Sequence, residues 1–293
     1  MTLSFSGRTV RALAVIFVLL ALSRSAKADP AMWVIRDADS TIYLIGTLHL
    51  LKHTTEWNRA RVLGALAESK ELWLEVADPT NQTVALPLIQ RYGFDRQRGL
   101  STKLSPAQQE KLKKVAGQYS VPLSNLEPMQ PWMAAIILTE LPLQSAGYDP
   151  NAGVDMILKA EAEKRGATVL GFETLEQHIR ILAELPERIQ IEFLESTLDE
   201  VSKGIALVDT LARAWVNGDT KTINELVVEE VREKEPEVYR RLLVQRNVQW
   251  SEKIAALLQR SGVQLIAVGA GHLAGPDSLQ MQLLKRGIRV ETF

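Results

Sequence analysis

Short apolar runs with the pattern of β-strands alternate along this chain with long stretches of helical pattern. The strand-like runs cover residues 33–36, 41–45, 71–76, 167–172, 263–268 and 289–293. Strands that alternate with helical segments are typical of a sheet that carries helices on its faces. The sequence therefore predicts an α/β fold, with a central mixed β-sheet flanked by helices and a large helical region in the middle of the chain.

Local signals refine several of these elements. A turn signal at residues 37–40 predicts that the first two strands form a hairpin. Residues 56–69 fit a helix with Ala60, Leu63, Leu66 and Ala67 on one face. Two further helices begin with a capping-box pattern, Ser105 with Gln108 and Thr174 with Gln177. Residues 132–138 are strongly apolar but too few to span a bilayer, which indicates a core helix.

The first 28 residues have the pattern of a cleavable signal peptide. Arg8 and Arg11 precede an apolar run over residues 12–22, and residues 26–28 form an Ala-x-Ala cleavage signature. The alternative is an uncleaved anchor, for which the apolar run is short. We expect cleavage after Ala28 and a periplasmic or secreted protein with no stable membrane anchor. No Gly/Ser-rich or Pro-rich linker divides residues 29–293, which predicts a single domain.

Charge and cysteine content exclude several classes of protein. The chain has no cysteine, so it has neither a disulfide framework nor a cysteine for lipid attachment. Residues 29–293 keep 30 of the 34 Lys and Arg residues and all 35 Asp and Glu residues, a net charge near −5. An acidic protein whose basic residues are mixed with acids does not bind nucleic acid through charge. The expected partner is a peptide or small-molecule substrate.

Two Gly-x-x-His motifs lie near opposite ends of the chain, GTLH at residues 46–49 and GAGH at residues 269–272. They contain two of only four histidines, His49 and His272, and each follows a strand-like run. Glu75 lies near the end of another strand, and Glu173 follows a fourth. Ligand sites of open α/β sheets form at the carboxyl ends of the strands. The sequence therefore predicts one site that contains these four side chains.

Two imidazoles with carboxylates and no thiolate suit a divalent metal, with Zn²⁺, Mn²⁺ and Co²⁺ as candidates. We predict His49, His272 and Glu75 as ligands, with Glu75 or Glu173 as the catalytic base. Within its strand Glu75 shares a face with Trp73, so its carboxylate must be paired or metal-bound if it is buried. Without a metal, the same groups form a His/Glu pair that can activate water directly.

Several sequence blocks together resemble the TraB/GumN family. They are the GTLH segment after a W-x-(I/V) hairpin, LEVAD, AGVDMILKAEAEKRGATVLGFETLEQ, QRNVQW and VGAGHLAG. That family includes the PrgY pheromone-shutdown proteins and is related to the Tiki metalloproteases. The resemblance implies a metal-dependent enzyme, because in the Tiki relatives the two Gly-x-x-His motifs and an acidic residue are associated with activity. By motif these are His49, His272, Glu75 and Glu173.

The same blocks add three residues. The resemblance implies a catalytic role for Arg246, which could stabilise an oxyanion or hold a substrate carboxylate, and substrate-binding roles for Asp155 and Asn247. The helix around Arg246 is dense in Glu and Arg, a pattern that by itself favours a surface ion pair. His53 follows His49 by four residues and could join the site. His178 has the pattern of an ordinary helix surface and is left out of it.

Three functions are compatible with these residues. The first is an exported metal-dependent hydrolase, a peptidase that acts on a peptide or protein. The second is a metal-independent esterase or amidase that uses the His/Glu pair. The third is a non-catalytic protein that sequesters a peptide or a lipid-like signal.

Overall fold

The computed structural model describes residues 29–57, 59–201 and 203–293. The predicted signal peptide, residues 1–28, lies outside the described residues. Within the described ranges no helix combines the length and the apolar character that a membrane span requires.

The centre of the fold is a six-stranded mixed β-sheet, which confirms the predicted fold class. Its strand order is β6-β4-β7-β2-β1-β8, and β3 and β5 form a separate two-stranded sheet. β6, β4, β7 and β2 are parallel to one another, whereas β1 and β8 are antiparallel to their neighbours. The strands are β1 (Met32–Arg36), β2 (Ser40–Thr47), β3 (Leu51–Lys52), β4 (Glu71–Val76), β5 (Tyr148–Asp149), β6 (Thr168–Glu173), β7 (Gly262–Gly269) and β8 (Glu291–Thr292).

Helices fill most of the remaining described chain. They are α1 (Arg59–Glu68), α2 (Gln82–Tyr92), α3 (Leu100–Lys103), α4 (Pro106–Gln118), α5 (Leu123–Leu126), α6 (Pro131–Ser145), α7 (Val154–Arg165), α8 (Leu175–Ala183), α9 (Glu187–Glu200), α10 (Gly204–Val216), α11 (Thr220–Ile223), α12 (Glu230–Lys234), α13 (Pro236–Tyr239), α14 (Gln245–Leu257) and α15 (Leu279–Lys285). Two π-helical segments, Asn224–Glu229 and Arg240–Val244, join α11 to α12 and α13 to α14. Two 3₁₀ turns cover Pro150–Ala152 and Ala270–Leu273.

Alternation along the strands divides the core between the two faces of the sheet. Leu72 and Leu74 of β4 pack in one cluster with α1, α7 and α10. Trp73 points to the other face and packs in a second cluster with α14 and α15. This arrangement confirms the alternation predicted for residues 71–76. Both faces of the sheet are thus covered by helices, and the polar ends of the strands are left for a site.

The face predicted for α1 faces the core only in part, since Leu66 is buried and Leu63 packs against the core. The buried residues are Val62, Ala65 and Leu66, whereas Ala60 and Ala67 are exposed. An alanine buries little apolar area, so the larger Val62 decides which face of the helix turns to the core. The pattern at residues 62, 65, 66 and 69 keeps the helical spacing, and Ser69 donates to the carbonyl of Ala65 within the buried stripe.

The helical middle of the chain forms a third apolar cluster, to which α4, α6 and α9 contribute. The predicted core helix lies within α6, where Ala134, Ala135 and Leu138 are fully buried. Both predicted capping boxes are present, at Ser105 before α4 and at Thr174 before α8. The second cap fixes how the chain leaves β6, next to the polar ends of the strands.

The sheet topology brings four strand ends to one edge. β7 comes last of the long strands in the chain but lies between β4 and β2. Thr47 at the end of β2 is therefore the register partner of Gly269 at the end of β7. On the other side Val76 pairs with Glu173 at the ends of β4 and β6. The side chains that follow these ends are neighbours, as the alternating strand pattern predicts.

Candidate active site at the carboxyl edge of the sheet

The two Gly-x-x-His motifs meet across the β2–β7 pair. Gly46 of the first motif lies beside Ala270 of the second, and a Cβ atom at residue 46 would come within 2.9 Å of the Cα atom of Ala270. That is closer than carbon atoms pack, so glycine allows the GAGH turn to cross the end of β2. The carbonyl of Gly46 accepts a hydrogen bond from the Trp215 indole at 2.7 Å. The glycine of each motif is thus part of the packing that joins them.

His49 is held against the beginning of α7. The carbonyl of Leu48 accepts from the amide of Val154 at 3.0 Å, and a Cβ atom at Gly153 would overlap the carbonyl oxygen of His49. This contact brings Asp155 in the first turn of α7 to the imidazole, with 3.3 Å between Oδ1 and Nδ1. The His49 side chain is 58% exposed and faces a cleft. Asp155 thus fixes one ring nitrogen of His49 and leaves Nε2 turned away from it.

The charge state of His49 follows from these neighbours. The neighbouring protein atoms remove part of the water around His49, which lowers its pKa, but the hydrogen bond and charge of Asp155 and the charge of Glu75 outweigh this and raise the pKa to about 9. The His49 imidazole is therefore protonated at neutral pH in the absence of a bound metal ion.

His272 is buried and neutral. Its Nδ1 lies 2.6 Å from Oδ1 of Asn247, whose Nδ2 donates to the carbonyls of His272 and Asp277 at 3.3 and 2.8 Å. Two carbonyl acceptors fix the amide orientation, so we assign the proton of His272 to Nδ1 and a lone pair to Nε2. The ring packs against Trp250 with 4.5 Å between centroids. Burial lowers the pKa of His272 to about 3, which keeps the ring neutral.

Arg246 joins the two glutamates in a buried cluster. Its Nη2 donates to Oε2 of Glu75 and to Oε1 of Glu173, both at 2.5 Å, and its Nε donates to Oε2 of Glu173 at 3.2 Å. The three side chains are 7–10% exposed. Burial raises the pKa of Glu75, but the charge of Arg246 outweighs it and holds that pKa well below its usual range.

Arg246 therefore does not form the surface ion pair that its local sequence pattern favours. β4 and β6 are neighbours and each ends in a buried carboxylate, so the guanidinium is needed inside as their counter-charge. Its carbon lies 4.5 Å from the centroid of the Trp250 ring, a further contact inside the core.

His178 belongs to the site, although its sequence pattern is that of a helix surface. Its Nδ1 lies 2.6 Å from Oε1 of Glu173, and the ring lines the same cleft as His49. The signal that points to it is the Thr174 capping box, which turns the chain sharply after β6 and places the fourth residue of α8 above the strand end. His53 instead contacts Asp149 at 2.8 Å through an exposed Nε2 and is not part of the Arg246 cluster.

One group of side chains has the spacing to hold a metal ion, and a second group surrounds a common space. Among the described residues, one group of three has ligand atoms all within 4.8 Å of one another: Glu75, Glu173 and His178. Nη2 of Arg246, however, is hydrogen-bonded to both carboxylates and lies 3.4 Å from Nδ1 of His178. The guanidinium already fills that position, so a metal there requires Arg246 to leave.

The second group surrounds the position that a side chain at residue 269 would occupy. A Cβ atom at Gly269 would lie 3.1 Å from Oε1 of Glu75, 3.6 Å from Nε2 of His49 and 3.7 Å from Cδ2 of His272. Each histidine has its Nδ1 turned to a side-chain oxygen, an arrangement typical of metal-binding histidines. Nε2 of His272 accepts from Arg246 at 3.0 Å and lies 3.7 Å from Oε1 of Glu75. The predicted ligands His49, His272 and Glu75 thus surround one space, and their donor types suit a divalent metal. Nε2 of His272 is already bonded to Arg246, so a metal held by these three groups also requires Arg246 to move.

The cleft in front of these groups has a volume of roughly 410 Å³. His49, Glu75, Asp155 and His178 line it, together with Glu140 from α6. Asn247 is 1% exposed, and both ends of its amide are used by His272 and its neighbours. It has no free group to offer a substrate, so the structure gives it the place of a positioning residue rather than the predicted substrate-binding one. Asp155 reaches the cleft but is engaged with His49.

The comparisons with known proteins agree with this arrangement of motifs. The family model described as the TraB/PrgY/gumN family matches residues 31–292. An uncharacterized protein of Treponema pallidum (strain Nichols) is 20% identical over 268 residues, which cover 87% of this chain and 80% of that protein. No solved structure gives a significant match. The family match covers both Gly-x-x-His motifs and the strands between them, and the chain belongs to the TraB/PrgY/gumN family.

Proposed function

We propose that this protein is an exported metal-dependent hydrolase that cleaves a peptide or protein substrate in the cleft at the carboxyl edge of the sheet. The observation that carries the proposal is the space at Gly269, where side chains from three strand ends converge: Nε2 of His49, the imidazole of His272 and Oε1 of Glu75. His49 and Glu75 line the open cleft, which leaves room beside them for water or a substrate carbonyl.

The donor set supports a metal of the Zn²⁺, Mn²⁺ or Co²⁺ type, because it combines nitrogen and oxygen with no thiolate. Such an ion, when bound, lowers the pKa of a water molecule and polarises a carbonyl. The residues around the ligands prepare them for this role. Asp155 and Asn247 hold the two rings, and Arg246 keeps Glu75 ionised although it is buried. His49 must lose its proton before its Nε2 can act as a ligand.

We assign the proton transfer to His178 rather than to either glutamate. Both oxygens of Glu173 are occupied, by Arg246 and by Nδ1 of His178, and Glu75 is engaged with Arg246 and the amide of Gly269. His178 is 40% exposed and lines the cleft. With Nδ1–H donated to Glu173, its Nε2 is free to take a proton from water and to return it to the leaving group. Glu173 is then a positioning residue that orients the ring.

A metal-independent esterase or amidase is the second candidate, and one observation favours it. Arg246 occupies the centre of the group formed by Glu75, Glu173 and His178, so it offsets one of the two buried negative charges without an ion. In that case the His178–Glu173 pair activates water directly and Arg246 supplies the positive charge near the developing oxyanion. A chelator would leave such an enzyme fully active.

Turnover of a peptide library by the protein, with and without chelator, distinguishes these functions. We expect cleavage that is abolished by chelation and restored by one of the three metals. His178→Gln should lower kcat by about 10²–10⁴-fold, the usual contribution of a general base. The control His53→Gln changes an exposed histidine in the turn after β3, outside the Arg246 cluster, and should keep full activity. Turnover that survives complete metal removal would instead support the metal-independent enzyme.

Export is a separate part of the proposal and rests on the sequence of residues 1–28. Expression of the full chain in a bacterium, followed by fractionation and amino-terminal sequencing, tests it directly. We expect a periplasmic or secreted product that begins at Asp29. A cytoplasmic product that retains Met1 would contradict it.

A further inference from the structure

The cleft has an excess of carboxylates. Of the fourteen residues that line it in the described part of the chain, Glu75, Glu140 and Asp155 are acidic, and none is Lys or Arg. Glu75 shares the charge of Arg246 with Glu173, and Asp155 is paired with His49. Glu140 lies on α6, lines the cleft and makes no ion pair with another described residue. One wall of the cleft therefore carries a negative charge that the protein itself does not compensate.

Two observations indicate that this charge faces a ligand. Glu140 is partly buried, and this burial raises the pKa of its carboxyl group. An unpaired carboxylate in such a position costs folding free energy that a bound cation would recover. Thr47, also in the cleft lining, is 1% exposed, and its hydroxyl oxygen has no hydrogen-bond partner among the described residues. Buried polar groups are normally paired, so this hydroxyl is a second unfilled contact in the same cavity.

We propose that Glu140 binds a cationic group of the substrate, an ammonium or a guanidinium, and that the cleft selects peptides which carry this charge. The inference rests on the proposed function in one respect, that the cleft is the substrate site. The cation can come from a Lys or Arg side chain or from a free amino terminus. Both present N–H donors and a positive charge to the carboxylate, and the Thr47 hydroxyl supplies a polar contact deeper in the cavity.

Three matched peptides test this proposal by calorimetric titration into the metal-free protein. The first is a capped pentapeptide of alanines with a central lysine, and the second has norleucine in place of the lysine. The third is the norleucine peptide with a free amino terminus. Each is titrated into wild type, Glu140→Gln and the control Glu110→Gln, which makes the same charge change at an exposed position of α4 outside the cleft. Glu140→Gln keeps the shape of the side chain, and its thermal unfolding verifies the fold.

We expect one of the two cationic peptides to bind wild type about tenfold more tightly than the capped norleucine peptide, the effect of one charge-assisted contact. The difference should vanish in Glu140→Gln and persist in Glu110→Gln. The cationic peptide that binds more tightly identifies the source of the charge, either a lysine side chain or a free amino terminus. Equal affinity for all three peptides, including no measurable binding of any, overturns the proposal, as does a preference that survives in Glu140→Gln. If the protein prefers a cationic peptide but cleaves none of the peptides after metal is added, the proposed hydrolase activity is rejected and the proposed cation site is retained.

Discussion

Replacement of Gly269 by alanine places a methyl group in the space where the proposed metal ligands converge. The backbone at Gly269 has φ −49° and ψ 136°, which an alanine adopts readily, and restriction of the unfolded chain favours the variant by about 0.4–1 kcal/mol. The new methyl group would lie 3.1 Å from Oε1 of Glu75, a tight contact that opposes this gain by about 1–3 kcal/mol. The free energy of unfolding should therefore fall by no more than about 2.6 kcal/mol, which leaves a domain of ordinary stability folded.

Metal binding should respond far more strongly than stability. Ligand nitrogen and oxygen atoms approach Zn²⁺ to about 2.0–2.2 Å, so an ion bound between His49, Glu75 and His272 would overlap the methyl group. We expect Gly269→Ala to lose the roughly one equivalent of metal that wild type binds. The control Gly271→Ala adds the same methyl group in the same motif, 3.6 Å from Val227 and 3.8 Å from Leu243, and should bind metal normally.

The assay combines inductively coupled plasma mass spectrometry of the purified variants with urea unfolding. It separates loss of the site from loss of the fold, because both variants must unfold cooperatively before their metal content is compared. If folded Gly269→Ala binds metal as wild type does, the ion is not held in this space, and the ligand set proposed for it is wrong.

Four further changes have outcomes that follow from single contacts. Arg246→Met should lower the free energy of unfolding by about 3–5 kcal/mol in urea titrations, because two buried carboxylates lose their counter-charge; a loss below about 1 kcal/mol would show that they are hydrated. Asp155→Asn should weaken metal binding about 10–100-fold in chelator competition by loosening His49, and unchanged affinity would remove Asp155 from this role. Gly46→Ala should cost about 1–3 kcal/mol in the same urea assay, and a neutral effect would mean that the GAGH turn moves freely. Glu140→Gln should be more stable than wild type at pH 7 and unfold at a higher temperature, with a gain in the free energy of unfolding of less than about 1 kcal/mol. The reason is that the folded-state pKa of Glu140 is raised, so the fold disfavours its ionised form. The advantage should disappear as the pH falls through the ordinary pKa of 4.5, and an advantage that persists at pH 3 would have another cause.

Strand positions and strand ends could be predicted from the sequence, because they depend on local patterns. Residues 71–76 alternate between two apolar faces, and the fold follows that alternation. The buried face of α1 could not be predicted from spacing, because alanine is tolerated on either side of a helix. The orientation of the helix depends on which of its larger side chains packs into the core, and that side chain is Val62.

The candidate site was predictable in part for the same reason. Glu75 and Glu173 lie at the ends of their strands, and His49 and His272 follow theirs. Their meeting therefore depends only on parallel strands whose carboxyl ends share an edge. The place of Arg246 depends instead on long-range pairing. Its helix has the charge density of an exposed helix, and only the β4–β6 register brings two carboxylates to its guanidinium.

Metal content and affinity of the protein that begins at Asp29 test the central claim most directly. Wild type and the double variant His49→Ala with His272→Ala are titrated with Zn²⁺, Mn²⁺ and Co²⁺ after chelator treatment. We predict about one equivalent of one of these metals in wild type and none in the folded double variant. No binding of any of the three by wild type, or equal binding by the double variant, would contradict a metal site built from the two Gly-x-x-His motifs.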